Sequence, residues 1–447
     1  MGLSVDKTIR TAFFEKYGAL SRGNPTSVSP EVVVIDVSAV LRQLFPAMGA
    51  GPKTPVDLAH YFVRKHITPF STCKCIVVAF DSYSEDDLHQ LRIDMHTHVR
   101  HRKATEQEIA AMDADTHVIV NGRIFKKGQQ PYSDAEVAKW HLDASVLPER
   151  AVAGRRGKLK LYDLVLGAMV REVAEHVALP MTAAAEGRRV IFDTPGRYDN
   201  EKSVIIVSQR GDVVDVAYEP RVAGIGRHGE ADQKCAAYLS NARETVAAWI
   251  TVDFDAVAQC MALNLGNVHV CYSAPRGDKD RRPQIVQMGL LPLGPAAALA
   301  MVRDGGDYNR SAKVFNLHSE HLLAAVEGTP PLITIADGRI SVDQEALFGF
   351  LQNGRADKQR KRKLFHLEEA DDEGEYFLSR ASAQQHAAGH KVVQAFPSPS
   401  HFQRSVHEAL RTVIYWMFGG TSDSTTRPSM SLDGLKLDTE ASTADTL

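Results

Sequence analysis

Carboxylates standing just beyond short apolar runs recur along this chain. Asp36 follows Val32-Val33-Val34-Ile35, and Asp81 follows Ile76-Val77-Val78-Ala79-Phe80. Asp253 and Asp255 stand in Thr251-Val252-Asp253-Phe254-Asp255, and Asp307 in Gly306-Asp307-Tyr308. Glu230 and Asp232 open a helical stretch in Gly229-Glu230-Ala231-Asp232, where carboxylates are favoured by the helix dipole and by unsatisfied backbone amides. Taken singly, each acid reads as a cap or a solvated group. Gathered at one place, such like charges raise one another's pKa unless cations compensate. An all-oxygen set with open water positions suits Mg²⁺ or Mn²⁺. A pair of those ions serves phosphodiester hydrolysis, one generating hydroxide and both stabilising the attacking and leaving oxygens.

The elements that would gather these acids follow from the apolar pattern. Val32–Ile35 and Ile76–Phe80 predict buried strands, and Pro55 to His66 has helical spacing between them, which makes a β-α-β unit. Further strands are expected over Arg189–Phe192, Val204–Val207, Val213–Tyr218, Ala248–Val252 and Ile285–Leu293. Helices are expected over Leu159–Val177, Glu230–Asn241 and Asp255–Leu265. Such alternation specifies an α/β fold with a mainly parallel twisted sheet flanked by helices. Acids at the carboxyl ends of its strands would then line the crevice where open α/β sheets bind ligands.

Between Ser82 and about Leu159 the composition turns charged and polar, which marks an insertion: Arg92, Arg100, Arg102 and Lys103 crowd together with His96, His98 and His101. The histidines lack an accompanying ligand set, so solvent exposure is expected rather than zinc. The α/β rhythm gives way near Gly338, and the domain is expected to end at residue 345. A partly helical extension over 346–418 is expected, with a last amphipathic helix around Phe402 to Phe418. Residues 419–447, rich in Ser, Thr, Asp and Gly, are expected to be disordered.

Composition bounds the partners. The 447 residues are 44% hydrophobic and 24% charged with a net charge of −3, which is a globular balance and not that of a basic nucleic-acid coat. Phosphate binding must therefore come from local clusters or metal ions. Five cysteines without CxxC spacing argue against a disulfide framework or zinc ribbon and suit a reducing, intracellular setting. No signal-like or membrane-spanning run is present; Leu290–Val302 is broken by Pro292, Gly294 and Pro295. A soluble, unanchored protein is expected.

These residues resemble the flap endonuclease and XPG family of 5′ nucleases, which carry a PIN-like α/β domain. The strongest stretch is Gly229-Glu230-Ala231-Asp232-Gln233-Lys234-Cys235-Ala236-Ala237-Tyr238-Leu239, similar to the family's Glu-Ala-Glu-Ala-Gln-Cys-Ala helix. Thr251-Val252-Asp253-Phe254-Asp255 resembles its Thr-Glu-Asp-Met-Asp, and Gly306-Asp307-Tyr308 its Gly-x-Asp-Tyr. Val34-Ile35-Asp36-Val37-Ser38 resembles Ile-Asp-Ala-Ser, and Ala79-Phe80-Asp81 resembles Val-Phe-Asp. Met1-Gly2-Leu3 is similar to the family start, in which a processed N-terminal glycine lies near the site.

The resemblance implies a PIN-like nuclease domain over residues 1–345 that binds nucleic acid, with DNA expected and RNA the alternative. It implies that Asp36, Asp81, Glu230 and Asp232 hold one ion, and that Asp253, Asp255 and Asp307 mainly serve a second. Arg92, Arg100, Arg102 and Lys103 occupy the place of the family's helical arch, which threads or clamps a single strand. Gly2 joins them as a nucleic-acid contact. Asp232 stands where the family has Glu, a shorter arm that favours a water-mediated contact. Val314-Phe315-Asn316 stands where the family has a Gly-Ile-Gly hairpin, so duplex anchoring by that device is not expected.

Gly229-Glu230-Ala231-Asp232-Gln233-Lys234 is also similar to the Gly-Glu-Gly-Glu-His-Lys of 5′-3′ exoribonucleases, which keeps an RNA substrate open. A catalytically inactive nucleic-acid-binding scaffold is the remaining alternative. Lys358-Gln359-Arg360-Lys361-Arg362-Lys363 reads as a nuclear localisation signal, a phosphate-tracking patch or an exposed charge run. The C-terminus has no clear clamp-binding motif, so a sliding-clamp partner is not expected.

Overall fold

The structure is a computed structural model. It describes residues 14–49, 51–81, 104, 106–176, 188–194, 204–210, 213–219, 231–253, 255–272, 283–295, 297–299, 301, 333–336, 339–342, 367–370, 376–379, 395–397, 413 and 416–417. Gly2, Arg92, Arg100, Arg102, Lys103, Glu230 and Asp307 lie outside the described residues, as do Val314-Phe315-Asn316, the basic run 358–363 and the tail 419–447.

The chain divides into two compact units. Arg22–Val252 with Asn267–Ile285 form one, and Met1–Ser21, Asp253–Gly266 and Val286–Leu447 form the other.

In chain order the strands are β1 (Leu20–Arg22), β2 (Val32–Asp36), β3 (Cys75–Ala79), β4 (His117–Val120), β5 (Arg123–Lys126), β6 (Arg188–Asp193), β7 (Val204–Arg210), β8 (Val213–Glu219), β9 (Ala247–Thr251), β10 (Val268–Tyr272) and β11 (Gln284–Gln287). The main helices are α1 (Val37–Ala47), α2 (Pro55–Phe62), α3 (Arg155–His176), α4 (Ala231–Asn241) and α5 (Asp255–Ala262). The fold is α/β, with a nine-stranded sheet in the order β1-β11-β10-β9-β2-β3-β6-β7-β8.

From β10 through β9, β2 and β3 to β6 the pairing is parallel. These strands are nearly continuous apolar runs: β2, β3 and β9 are buried from their second residue on. That is what a sheet covered on both faces requires. Beyond β6 the chain doubles back, and β6, β7 and β8 pair antiparallel. The expectation of a mainly parallel sheet therefore holds for one half only. Parallel neighbours need a crossover of a dozen or so residues, and only Gly211-Asp212 separate β7 from β8, a spacing that closes a two-residue hairpin.

Other expectations shift at their edges. Ile285–Leu293 is a strand only to Gln287 and continues as a 3-10 turn, Met288–Leu290. The helix expected to reach His66 ends at Phe62 and passes into a π-helical turn, Val63–Ile67. Strand β10 was not anticipated, because His269 interrupts its apolar run. In the charged stretch after Asp81, Val137, Trp140, Val146 and Ala151 are buried in the main core together with Leu161, Tyr162 and Val165 of α3. Part of that stretch thus builds the core, while β4 and β5 form a separate two-stranded hairpin.

Helix α1 presents Val37, Val40, Leu41, Leu44 and Phe45 inward, the i, i+3, i+4, i+7 stripe of a helix on a sheet. Helix α2 is set by a capping box between Thr54 and Asp57, with Pro55 at its first position. It packs on α3, and His60 Nδ1 meets Glu172 Oε1 at 2.9 Å across that contact. Truncating a core leucine such as Leu44 or Leu58 to Ala would cost about 2–5 kcal/mol.

His66 lies in the π-helical turn with its ring tilted on Phe62 at 5.3 Å between centroids. Burial, reinforced by the neighbouring Lys65 charge, pushes its imidazole from 6.5 down to about 3. Between those values the unfolded chain takes up a proton that the folded one refuses, so stability is expected to fall as pH drops through that window. Replacing His66 with Leu should flatten the slope, read as denaturation midpoints at a series of pH values. An unchanged slope would remove His66 as its source.

The second unit contains α5, buried along its whole length. Gly294 N donates to Met261 O at 2.9 Å behind it. Gly289 lies so close to Gly266 that a Cβ there would meet the Gly266 carbonyl oxygen at 2.8 Å, an approach only glycine permits. Farther on are a hairpin, β12 (Ile333–Ala336) with β13 (Arg339–Val342), and an antiparallel sheet of β14 (Leu367–Ala370), β15 (Tyr376–Ser379) and β16 (Ala395–Pro397). The expected partly helical extension therefore includes strands; Val413, Trp416 and Met417 are helical.

The thiols of Cys73, Cys235, Cys260 and Cys271 are buried and that of Cys75 is partly so. Burial pushes Cys271 up to about 12 and raises Cys75, Cys235 and Cys260 as well. Among the described residues no helix is long and apolar enough to cross a membrane.

Candidate functional site

At the carboxyl end of the parallel strands the register aligns acids. Asp36, the last residue of β2, pairs with Ala79 of β3, and Ala79 pairs with Asp193, the last residue of β6. Two interstrand spacings put the Asp36 and Asp193 backbones roughly 10 Å apart. Asp81 stands two residues beyond β3, between them in strand order.

Asp36 is 5% exposed and caps α1, its Oδ1 accepting from Ala39 N at 3.0 Å. The bland reading of this acid as a helix cap is thus realised. Asp81 N donates to Ser38 Oγ at 3.3 Å, so the start of α1 also holds the β3 loop.

The Asp81 carboxylate joins three elements. Its Oδ1 accepts from Ala231 N, the first amide of α4, at 3.0 Å. Its Oδ2 meets Lys158 Nζ, from the first turn of α3, at 2.5 Å, with side chains 14% and 9% exposed. Burial alone would raise its pKa; the Lys158 charge and the hydrogen bonds from Lys158, Ala231 and Ser38 outweigh that and hold the carboxyl well below the usual range. Below the Lys158 ammonium lies the Tyr162 ring, 5.3 Å from the nitrogen, itself edge-on to Phe80.

Helix α4 brings Asp232, half-buried, with Oδ1 accepting from Gln233 N at 2.8 Å. Two residues on, Lys234 is fully buried and paired with the fully buried Asp193 at 2.6 Å. The same ammonium donates to Phe80 O at 2.8 Å and Thr194 O at 3.2 Å, while Tyr238 Oη lies 3.4 Å from Asp193 Oδ2. Lys234 therefore ties α4 to the ends of β3 and β6 at once. Burial raises the thiol of Cys235, with Asp36, Asp232 and Asp193 adding to the effect and Lys234 opposing it.

Of the sequence-derived acids, the larger unit brings Asp36, Asp81 and Asp232 to this edge. Asp253 and Asp255 belong to the other unit, where Asp253 is half-buried and Asp255, 4% exposed, opens α5. An acid in the first turn of a helix is favoured by the dipole whatever else it does. Sequence reasoning overlooked Asp193, Lys158 and the pairing of Lys234. Asp193 carries the same signature as Asp36 and Asp81, an acid closing an apolar run, and could have been found by it.

The donor set is all oxygen, as Mg²⁺ or Mn²⁺ prefers, and a cation already touches Asp81 in the form of the Lys158 ammonium. Among the described residues no three His, Cys, Asp or Glu side chains stand close enough to hold one ion. Compared with family models and with curated proteins, the sequence finds no match.

Proposed function

We propose that this chain is a divalent-metal-dependent nuclease of the PIN-like 5′ nuclease class, hydrolysing phosphodiester bonds at 5′ ends or flaps of DNA. What supports it is that Asp36 and Asp81 stand at the carboxyl ends of the adjacent parallel strands β2 and β3, with α4, which carries Asp232, bonded to Asp81 through its first amide. The resemblance in the sequence gives the substrate class, through the Gly229-Glu230-Ala231-Asp232 stretch, of which Ala231 and Asp232 open α4.

Asp36, Asp81 and Asp232, with Glu230, would hold one Mg²⁺ or Mn²⁺, and the resemblance assigns Asp253, Asp255 and Asp307 to a second. When bound, such ions supply an activated hydroxide and neutralise charge on the leaving oxygen. The chain's own groups orient the carboxylates: Ser38 and Ala231 fix Asp81, and the α1 amide fixes Asp36.

The test is incubation of the purified protein with a 5′-flap duplex, a nicked duplex and single-stranded RNA, each with Mg²⁺ and with EDTA. Metal-dependent cleavage of the flap is expected. Cleavage of RNA alone would replace the DNA reading with the exoribonuclease one. Binding without cleavage of any substrate would leave a nucleic-acid-binding scaffold, the reading that the Lys158–Asp81 ion pair favours.

A further inference from the structure

We propose that this chain self-associates through β8, whose outer edge pairs antiparallel with β8 of a second copy about a two-fold axis at Val216.

Strand β8 ends the sheet, and among the described residues no strand pairs with its outer edge. It is exposed along nearly its whole length. Large apolar side chains are displayed there: Val213 is 67% exposed, Val214 40%, Val216 38% and Tyr218 61%. Edge strands are ordinarily protected by Lys, Pro or a bulge. Val213–Glu219 contains no Lys, Arg or Pro, and its register with β7 runs unbroken from Val213 to Glu219. An edge so bare is a template for another strand.

The hairpin decides which backbone groups face outward. Its two-residue link makes Arg210 and Val213 a hydrogen-bonded pair, after which bonded and non-bonded pairs alternate. Val213, Asp215, Ala217 and Glu219 therefore turn their amides and carbonyls to β7, whereas Val214, Val216 and Tyr218 turn theirs away from it. The side chains of Val216 and Tyr218 share a face with their β7 partners Val207 and Ile205, which are buried in the core on which α3 packs. The outward stripe thus continues that core face to the edge of the sheet.

Charge selects the register and favours a second copy as the occupant. Two copies can bond these outward groups in registers centred on Asp215, Val216 or Ala217. Centring on Asp215 sets that acid against itself across the axis, and centring on Ala217 sets Asp215 against Glu219; like charges directly opposite are destabilising. Centring on Val216 sets Asp215 against Ala217 and Glu219 against Val213. It also pairs every outward residue, Val214 with Tyr218 and Val216 with itself, so that β-branched and aromatic side chains meet on one face. The strand is complementary to itself in that register. Such a contact is isologous and closed, and it covers the bare edge of both copies at once.

A strand pair of this length is a small interface, so association is expected at roughly micromolar concentrations. In sedimentation equilibrium the mass should rise from 49.1 kDa toward twice that value as concentration increases. Val216→Lys and Val216→Glu, each setting like charges across the axis, should stay at 49.1 kDa, and their equimolar mixture should recover the dimer. That recovery requires residue 216 to face itself. Hydrogen exchange of the unaltered protein needs no variant: peptides covering 213–219 should exchange several-fold more slowly at high protein concentration than at low. A 49.1 kDa species at every concentration, a Val216→Lys protein that dimerises as well as the unaltered one, a mixture that stays monomeric, or exchange in β8 that ignores concentration would each overturn the proposal.

Discussion

Lys234→Met is expected to destabilise the larger unit by about 3–5 kcal/mol, because it strands a buried carboxylate without its partner. The loss has a second part, since Phe80 O and Thr194 O forfeit their shared donor, and a buried acceptor left unsatisfied, as at Phe80 O, costs about 1–3 kcal/mol. Chemical denaturation monitored by circular dichroism would show it as a lower midpoint with little change in slope. The informative companion is Lys234→Met combined with Asp193→Leu. Replacing both members of a buried pair with apolar groups is often near neutral, so the double variant should recover much of what either single change loses. If the double variant were as unstable as the sum of the singles, the pair would not be the source of the effect.

Asp81→Asn carries the largest functional effect. Asn keeps an acceptor for Ala231 N but removes the charge that faces Lys158 and that a metal ion would share. Metal stabilisation of transition-state charge is worth several kcal/mol, and each ~1.4 kcal/mol is tenfold in rate. Cleavage of the preferred substrate is expected to fall by about 10³-fold or more under single-turnover conditions. Asp36→Asn is the sharper control for folding, because Asn caps α1 about as well as Asp does; it should keep the helix while lowering cleavage. An Asp81→Asn protein that cleaves at the original rate would show the metal assignment to be wrong.

The sequence made some of this legible and hid the rest for physical reasons. Asp36 and Asp81 could be found because an apolar strand closing in an acid is a local pattern, and local patterns survive in one dimension. Asp193 has that pattern too, but its place beside Asp81 depends on β6 pairing with β3 across more than a hundred residues, which no local pattern encodes. Lys158 sits in a run of basic residues that reads as solvated surface; only the fold reveals that one of them turns inward onto a carboxylate 77 residues away. Lys234 was noticed as a letter in a motif, while its burial depends on β3 and β6 meeting α4. Val137, Trp140, Val146 and Ala151 are isolated apolar residues in a charged stretch, too sparse for a periodic signal, yet they are part of the core.

The enclosed sulfurs give the molecule an internal clock. A thiol must ionise and meet solvent before it reacts with an alkylating reagent, and burial denies both to Cys235, Cys260 and Cys271. Their modification is therefore gated by opening of the structure around them, and under fast chemistry its rate approaches the opening rate itself. Cys260 belongs to one compact unit and Cys235 and Cys271 to the other. A single trapping time course, read peptide by peptide, would time the opening of each unit separately in the unaltered protein.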